Sequence, residues 1–318
     1  MLAWFGDDLR CGECRIRPGV EDRDTETRPS AWRVAGAERD TAWLVGRIDG
    51  RPVYGGTPDD AGVVALIGAL RARGFAVTLY PFILMDIADG NALPDPDGGS
   101  GQPAYPWRGR IRPGAGSIAA QATDFTVNGG AVSYAGPDAW RYRRFILHCA
   151  ALAKAAGGVD GFLIGSEMVA LTTSGAGENY PAVAALCALA TEARNLLGPS
   201  TRLSYAADWS EYHGHQSGGG AKIFHLDPLW SHPSIDAVAI DFYIPLADWR
   251  DGDDHLDAAQ ASGPHDKSYL ASQVTGGEGH DWYYASPEDR DAQLRTPISD
   301  AVHGEDWVWR YKDLIGWW

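Results

Sequence analysis

Carboxylates recur at one kind of place in this sequence, the downstream end of a short apolar run. Asp86 closes YPFILMD, Glu167 follows FLIGS, Asp208 and Glu211 close the run in SYAADWSEY, and Asp241 with Tyr243 ends AIDFYIP. A single such acid carries little information, because acids commonly begin loops and cap helices. Four successive runs that each end on one form a pattern. If the runs are strands of one sheet, their ends converge, and the chemistry within reach is glycoside hydrolysis. One protonated carboxyl donates to the leaving oxygen, and a second carboxylate attacks the anomeric carbon or activates water. Burial and neighbouring negative charge raise one of the two pKa values, so that acid keeps its proton near neutral pH.

Glu167 is the expected proton donor, because it lies directly after an apolar run and small Gly165 and Ser166 leave room for a ligand. The competing reading is a structural glutamate that salt-bridges an arginine across the top of the sheet. Glu278, in GGEGHDWYY at 276–284, is the candidate for the attacking carboxylate. Glycines around it allow close backbone approach, and aromatics follow at once. Asp208 and Asp241 are alternatives for that role and, with Asp86 and Glu211, are expected rather to bind sugar hydroxyls, with Trp209, Tyr243 and Trp282 as aromatic contacts for the rings. The chain holds 13 Trp and 13 Tyr, rich enough to supply stacking faces even if at least half are core or rim residues.

Other chemistries find less support. His213, His215 and His225 have no carboxylate at ligand spacing and read as exposed loop histidines, so no metal is expected. Cys11 and Cys14 form a lone CxxC without two further ligands nearby, and Cys149 and Cys187 stand singly in helical stretches. The acidic loop at 251–257 lacks the calcium-loop pattern and reads as solvated. No cofactor is expected: a dinucleotide fold should show GxGxxG after its first strand, and Gly175 with Gly177 comes near that spacing only to meet Tyr180. Lys+Arg is 27 against Asp+Glu 42, a net charge of −15 that repels phosphate backbones, so nucleic acid is not an expected partner. No apolar stretch reaches membrane-span length, so no membrane insertion is expected, and the first ten residues lack the plan of a signal peptide.

The elements that must position the acids follow from helix signals. One helix is expected from Thr57 as N-cap and Pro58 at the first helical position to Gly74, with Val63, Val64, Ile67 and Leu70 as its apolar residues. A second is expected from about Pro137 to Ala156, with Phe145, Cys149, Leu152 and Ala156 on one stripe. A third runs from Pro181 to Leu197 and stops at Gly198. Each is followed within about six residues by an apolar run, the usual αβ spacing. Runs that are apolar on both faces suit a parallel sheet covered by helices. The alternation predicts an α/β fold, and acids at the ends of several strands favour a TIM-like (β/α)8 barrel. Loops at 93–106 and 213–221 are turn-rich. The absence of an interdomain linker points to one domain over residues 1–318.

Several longer stretches carry a resemblance: WFGDDLR (4–10), YGGTPDD (54–60), VTLYPFILMDI (77–87), PAYPWRGRI (103–111), GGVDGFLIGSEM (157–168), DFYIPLADWR (241–250), GGEGHDWYYAS (276–286) and WVWRYKDL (307–314). Together they resemble the TIM-barrel-like, glycoside-hydrolase-like domain of gene transfer agent and phage tail-tip baseplate hub proteins, over nearly the whole chain. The resemblance implies a particle tail tip made in the bacterial cytoplasm, with other tail and baseplate proteins and cell-wall or surface polysaccharide as partners. Gly-Ser-Glu at 165–167 is similar to the Gly-Asn-Glu that ends the fourth strand in many barrel glycosidases, where the Glu is the proton donor. Ser166 stands where the Asn usually binds the sugar 2-hydroxyl. The nucleophile of such enzymes follows the seventh strand, and about five strands are legible here. The expectation is therefore a barrel that is incomplete at one or both ends, or a catalytically inactive carbohydrate-binding relative.

Overall fold

The computed structural model describes residues 2–26, 31–113, 125–128, 131–134, 140–175, 179–216 and 220–318. These residues form two compact units, each described by itself. The first comprises 1–211 and 225–241; the second comprises 212–224 and 242–318.

The first unit is built on parallel strands. Leu2–Gly6 pairs in register with Pro81–Met85, from Leu2 against Pro81 to Gly6 against Met85. Thr78–Leu79, one residue upstream in the same extended segment, pairs with Gly161–Phe162 of the strand Gly161–Ser166. That strand pairs with Arg202–Asp208, which pairs in turn with Ala239–Asp241. The spatial order thus follows the chain order. A doubly wound sheet would reverse it at a switch point, whereas a βα-barrel wall keeps it. The strands are short and largely buried on both sides, as the apolar runs predict.

Helices Asp60–Ala72, Tyr142–Ala155, Pro181–Leu197 and the short Asp227–Trp230 fill the crossovers. The third matches its expected bounds, because Pro181 starts it and Gly198 follows it at φ +80. It buries Val183, Leu186, Leu189, Ala190, Ala193 and Leu196, one helical face, and packs on Tyr142–Ala155. Phe145, Cys149 and Leu152 are buried on the latter helix as expected. Its expected start at Pro137 lies outside the described residues. His148 of this helix reaches Asp60 at 2.8 Å and ties it to the first one.

The expected cap of the first helix needs correction. Thr57 is buried, donating its hydroxyl to the Ala3 carbonyl at 2.9 Å and accepting from Gly19 N–H at 3.1 Å. Asp59 caps instead, its carboxylate accepting from Gly62 N–H at 2.9 Å. The threonine is spent on holding the first strand.

The second unit has short elements and an ionic centre. Arg295 bridges Asp248 at 2.8 Å and Asp257 at 2.5 Å, and its guanidinium lies 4.2 Å from the centroid of the Trp282 ring. Tyr284 donates to Asp248 at 2.5 Å, and Tyr269 donates to Asp257. Asp257 is therefore buried and paired, not part of a solvated loop as expected. The expectation of exposed histidines fails for His213 and His225, while His215 is partly exposed. His213 is buried against Lys222, its Nδ1 2.7 Å from Nζ, and burial pushes its pKa down to about 4. His225, in the first unit, is buried and packs on Tyr180.

Candidate active site at the strand ends

The parallel order puts the expected acids at one edge of the sheet. Asp86 follows Pro81–Met85, Glu167 follows Gly161–Ser166, and Asp208 and Asp241 end their strands directly opposite each other in the register. They then divide by what they touch.

Glu167 and Asp241 come together. The backbone delivers Glu167 through two irregularities. The register with the next strand shifts between Leu163 and Ser166, and Glu167 itself sits in the left-handed region at φ +51. A bulge beside a strand end re-aims the side chain that follows. A non-glycine residue at positive φ costs on the order of 1–3 kcal/mol and persists only where its surroundings hold it. The Glu167 N–H donates to the Ala206 carbonyl at 2.9 Å. Its carboxylate Oε2 receives the Trp107 indole N–H at 2.7 Å and lies 2.9 Å from Arg108 Nη2. Asp241's carboxyl is a further hydrogen-bond partner of Glu167. Burial raises the Glu167 pKa, Trp107 and Arg108 oppose the rise, and the contact with Asp241 adds to it.

The rest of the ring is protein. Tyr80 donates to Asp241 Oδ2 at 2.5 Å and also hydrogen-bonds Ser166, and its own pKa is raised, first by burial and then by Asp241. Arg108 is buried, with its guanidinium 3.7 Å from the Phe82 ring centroid, and donates to the Ser166 carbonyl and hydroxyl at 2.9–3.1 Å. The hydroxyl of Ser166, expected in a sugar-binding position, is thus engaged by Arg108. Trp107 is 41% exposed, so its indole fixes the acid with one edge and still meets solvent.

Asp208 and Glu211 make a second cluster. Glu211 is wholly buried and accepts from Asp208 N–H at 3.0 Å, from the Tyr205 hydroxyl at 2.9 Å and from the Thr172 hydroxyl. Burial pushes its pKa up to about 7 against those donors. Asp208 is held by Ser210 N–H at 2.9 Å. Asp86 is engaged separately: it accepts from Trp43 Nε1 at 2.5 Å and from Gly46 N–H at 3.0 Å, and burial raises its pKa. Trp209 is half-buried, its N–H donating to the Asp241 carbonyl at 3.1 Å.

Glu278, Tyr243 and Trp282 belong to the second unit. Glu278 pairs with Arg290 at 2.8 Å, Trp282 packs edge-on to Tyr284, and Tyr243 is 74% exposed. Sequence reasoning missed Tyr80, Trp107, Arg108 and Tyr205 as individuals. Trp107 and Arg108 lie in the PAYPWRGRI stretch, and the signal was available there: a buried carboxylate after an apolar strand requires a cation. Among the described residues, no group of three or more His, Cys, Asp or Glu could hold a metal ion, and no helix is long and apolar enough to cross a membrane.

No curated protein matches the chain. The family model described as the GTA TIM-barrel-like domain, GTA being gene transfer agent, matches residues 140–318. That span is more than half of the chain and includes Glu167, Asp208, Glu211 and Asp241. The chain belongs to the family of TIM-barrel-like domains of gene transfer agent proteins.

Proposed function

We propose that this chain is the glycoside-hydrolase-like module of a gene transfer agent tail tip, and that it engages bacterial envelope polysaccharide with Glu167 as proton donor. The parallel arc is read as part of a (β/α)8 wall, and other baseplate proteins are its neighbours in the particle. One observation carries the reading: a buried glutamate of raised pKa stands at a parallel strand's carboxyl end in a left-handed backbone, fixed by Trp107 and Arg108. A protonated Glu167 would donate to the glycosidic oxygen, and Arg108 would steady the carboxylate left behind. Asp241, in hydrogen-bond range, is the second carboxylate of this reading. Glu278, ion-paired to Arg290, belongs to the second unit.

The test is release of new reducing ends from peptidoglycan and from surface polysaccharide. Glu167→Gln abolishes it and leaves the melting temperature within a few degrees. Equal release by that variant removes Glu167 from the mechanism.

A second reading has its own support. The Glu167 carboxylate is already held by the Trp107 indole N–H at 2.7 Å and by Arg108 at 2.9 Å. That arrangement favours a carbohydrate-binding module without turnover. It predicts binding of cell-wall fragments, weakened by Trp107→Ala or Trp209→Ala, with no reducing ends released.

A further inference from the structure

Glu167 does not hold its left-handed backbone alone. The residue after it, Met168, donates its N–H to the Tyr205 hydroxyl at 2.7 Å. That hydroxyl donates onward to Glu211 Oε1 at 2.9 Å. Glu211 also accepts from Thr172, at the far end of the short helix Val169–Thr172 that follows Met168. Its other oxygen takes the Asp208 N–H, and its own N–H donates to the Asp208 carbonyl at 2.8 Å. One carboxylate therefore fastens both ends of the 168–172 segment to the end of the neighbouring strand. Met168, Thr172, Tyr205 and Glu211 are all buried, so none of these groups can turn to water instead.

We propose that Glu211 is a positioning residue, which acts through Tyr205 on the Met168 N–H to fix the turn that aims Glu167. Tyr205 is the necessary middle member. It accepts from the backbone and donates to the carboxylate, and phenylalanine would fill the space while doing neither. The purpose of this relay rests on the reading of Glu167 as the acid; its existence does not.

The chain has three methionines, so methionine-selective 15N labelling reads the Met168 amide almost alone, with Met85 in its strand as internal control. Tyr205→Phe is expected to raise hydrogen exchange at Met168 at least tenfold, leave Met85 unchanged, and displace the Glu167 carboxyl titration followed by 13C. Glu211→Ala should do the same, which covers the case that one variant fails to fold. Glu211→Gln keeps an acceptor for Tyr205 and should restore protection. Unchanged exchange at Met168 and unchanged titration of Glu167 in a folded Tyr205→Phe or Glu211→Ala protein would overturn the proposal. These readouts need no glycan. Loss of the hydrolase reading with an intact relay is therefore distinguishable from loss of the relay itself.

Discussion

The indole N–H of Trp107 meets Glu167 Oε2 at 2.7 Å while the six-membered ring of the same indole lies against Gly109, where a Cβ would stand 2.5 Å from ring carbons. A ring so placed has glycine backbone beneath it and the acid at its edge. Gly109→Ala must push the ring away, and the donor that lowers the Glu167 pKa goes with it. The expected outcome is a further rise of the Glu167 pKa with a stability loss of about 1 kcal/mol. Carboxyl 13C titration checks it, and an unmoved Glu167 midpoint would refute the link.

Among the described residues, Arg108 is the cation paired with the Glu167 carboxylate, at 2.9 Å, and it is itself buried. Arg108→Met should cost about 3–5 kcal/mol, the scale for breaking a buried pair from one side. The loss has a pH sign. Without the guanidinium the folded-state pKa of Glu167 climbs further above its unfolded value, so the folded state favours the protonated acid. The variant is then least impaired at low pH and loses stability as pH rises through the Glu167 midpoint. Denaturant unfolding at pH 5 and pH 8 measures this. A deficit of equal size at both values would show that packing on Phe82, not charge, carries the effect.

Gly165 faces a different constraint. A Cβ there would stand 1.7 Å from the Tyr142 hydroxyl, which donates to the Ile164 carbonyl at 2.5 Å. Gly165→Ala is predicted to destabilise by more than about 2 kcal/mol through overpacking beside the bulge. Tyr142→Phe removes the clashing oxygen and should recover part of the loss in the double variant. The recovery is incomplete, because the ring carbon Cζ remains 3.1 Å away. Strict additivity of the two changes in thermal unfolding would contradict the contact.

The strand ends were legible because a parallel strand buried on both faces reads as an apolar run, and the next polar residue marks its end. Asp86, Glu167, Asp208 and Asp241 stand where that reasoning puts them. The helix Pro181–Leu197 was legible because its ends rest on local backbone chemistry at Pro181 and Gly198. What stayed hidden depends on partners far away in the chain. Trp107 and Arg108 lie 60 and 59 residues before Glu167, and no local pattern couples them. Thr57 has the side chain of a helix cap, yet the first strand claims its hydroxyl. His213 has loop neighbours, but Lys222 and the Trp307 carbonyl at 3.2 Å enclose it. Local rules place elements; competition among distant partners decides what each side chain does.

Glu211 gives the sharpest test of that competition, because three donors favour its ionised form and burial opposes them. Burial prevails, and the pKa stands at about 7 against 4.5 for an ordinary glutamate. A carboxyl whose folded pKa is raised contributes stability that is fully present below the unfolded pKa and is lost as pH rises through the folded one. The affected window therefore runs from about pH 4.5 to about pH 7. A shift of this size corresponds to on the order of 3 kcal/mol. Glu211→Gln has no such proton to lose. Its stability relative to the unsubstituted chain should therefore rise across that window and level off above pH 8. Other titrating groups contribute equally to both proteins and cancel in the difference. A flat difference between pH 4 and pH 8 in urea unfolding would mean that the donors, not burial, set the charge of Glu211.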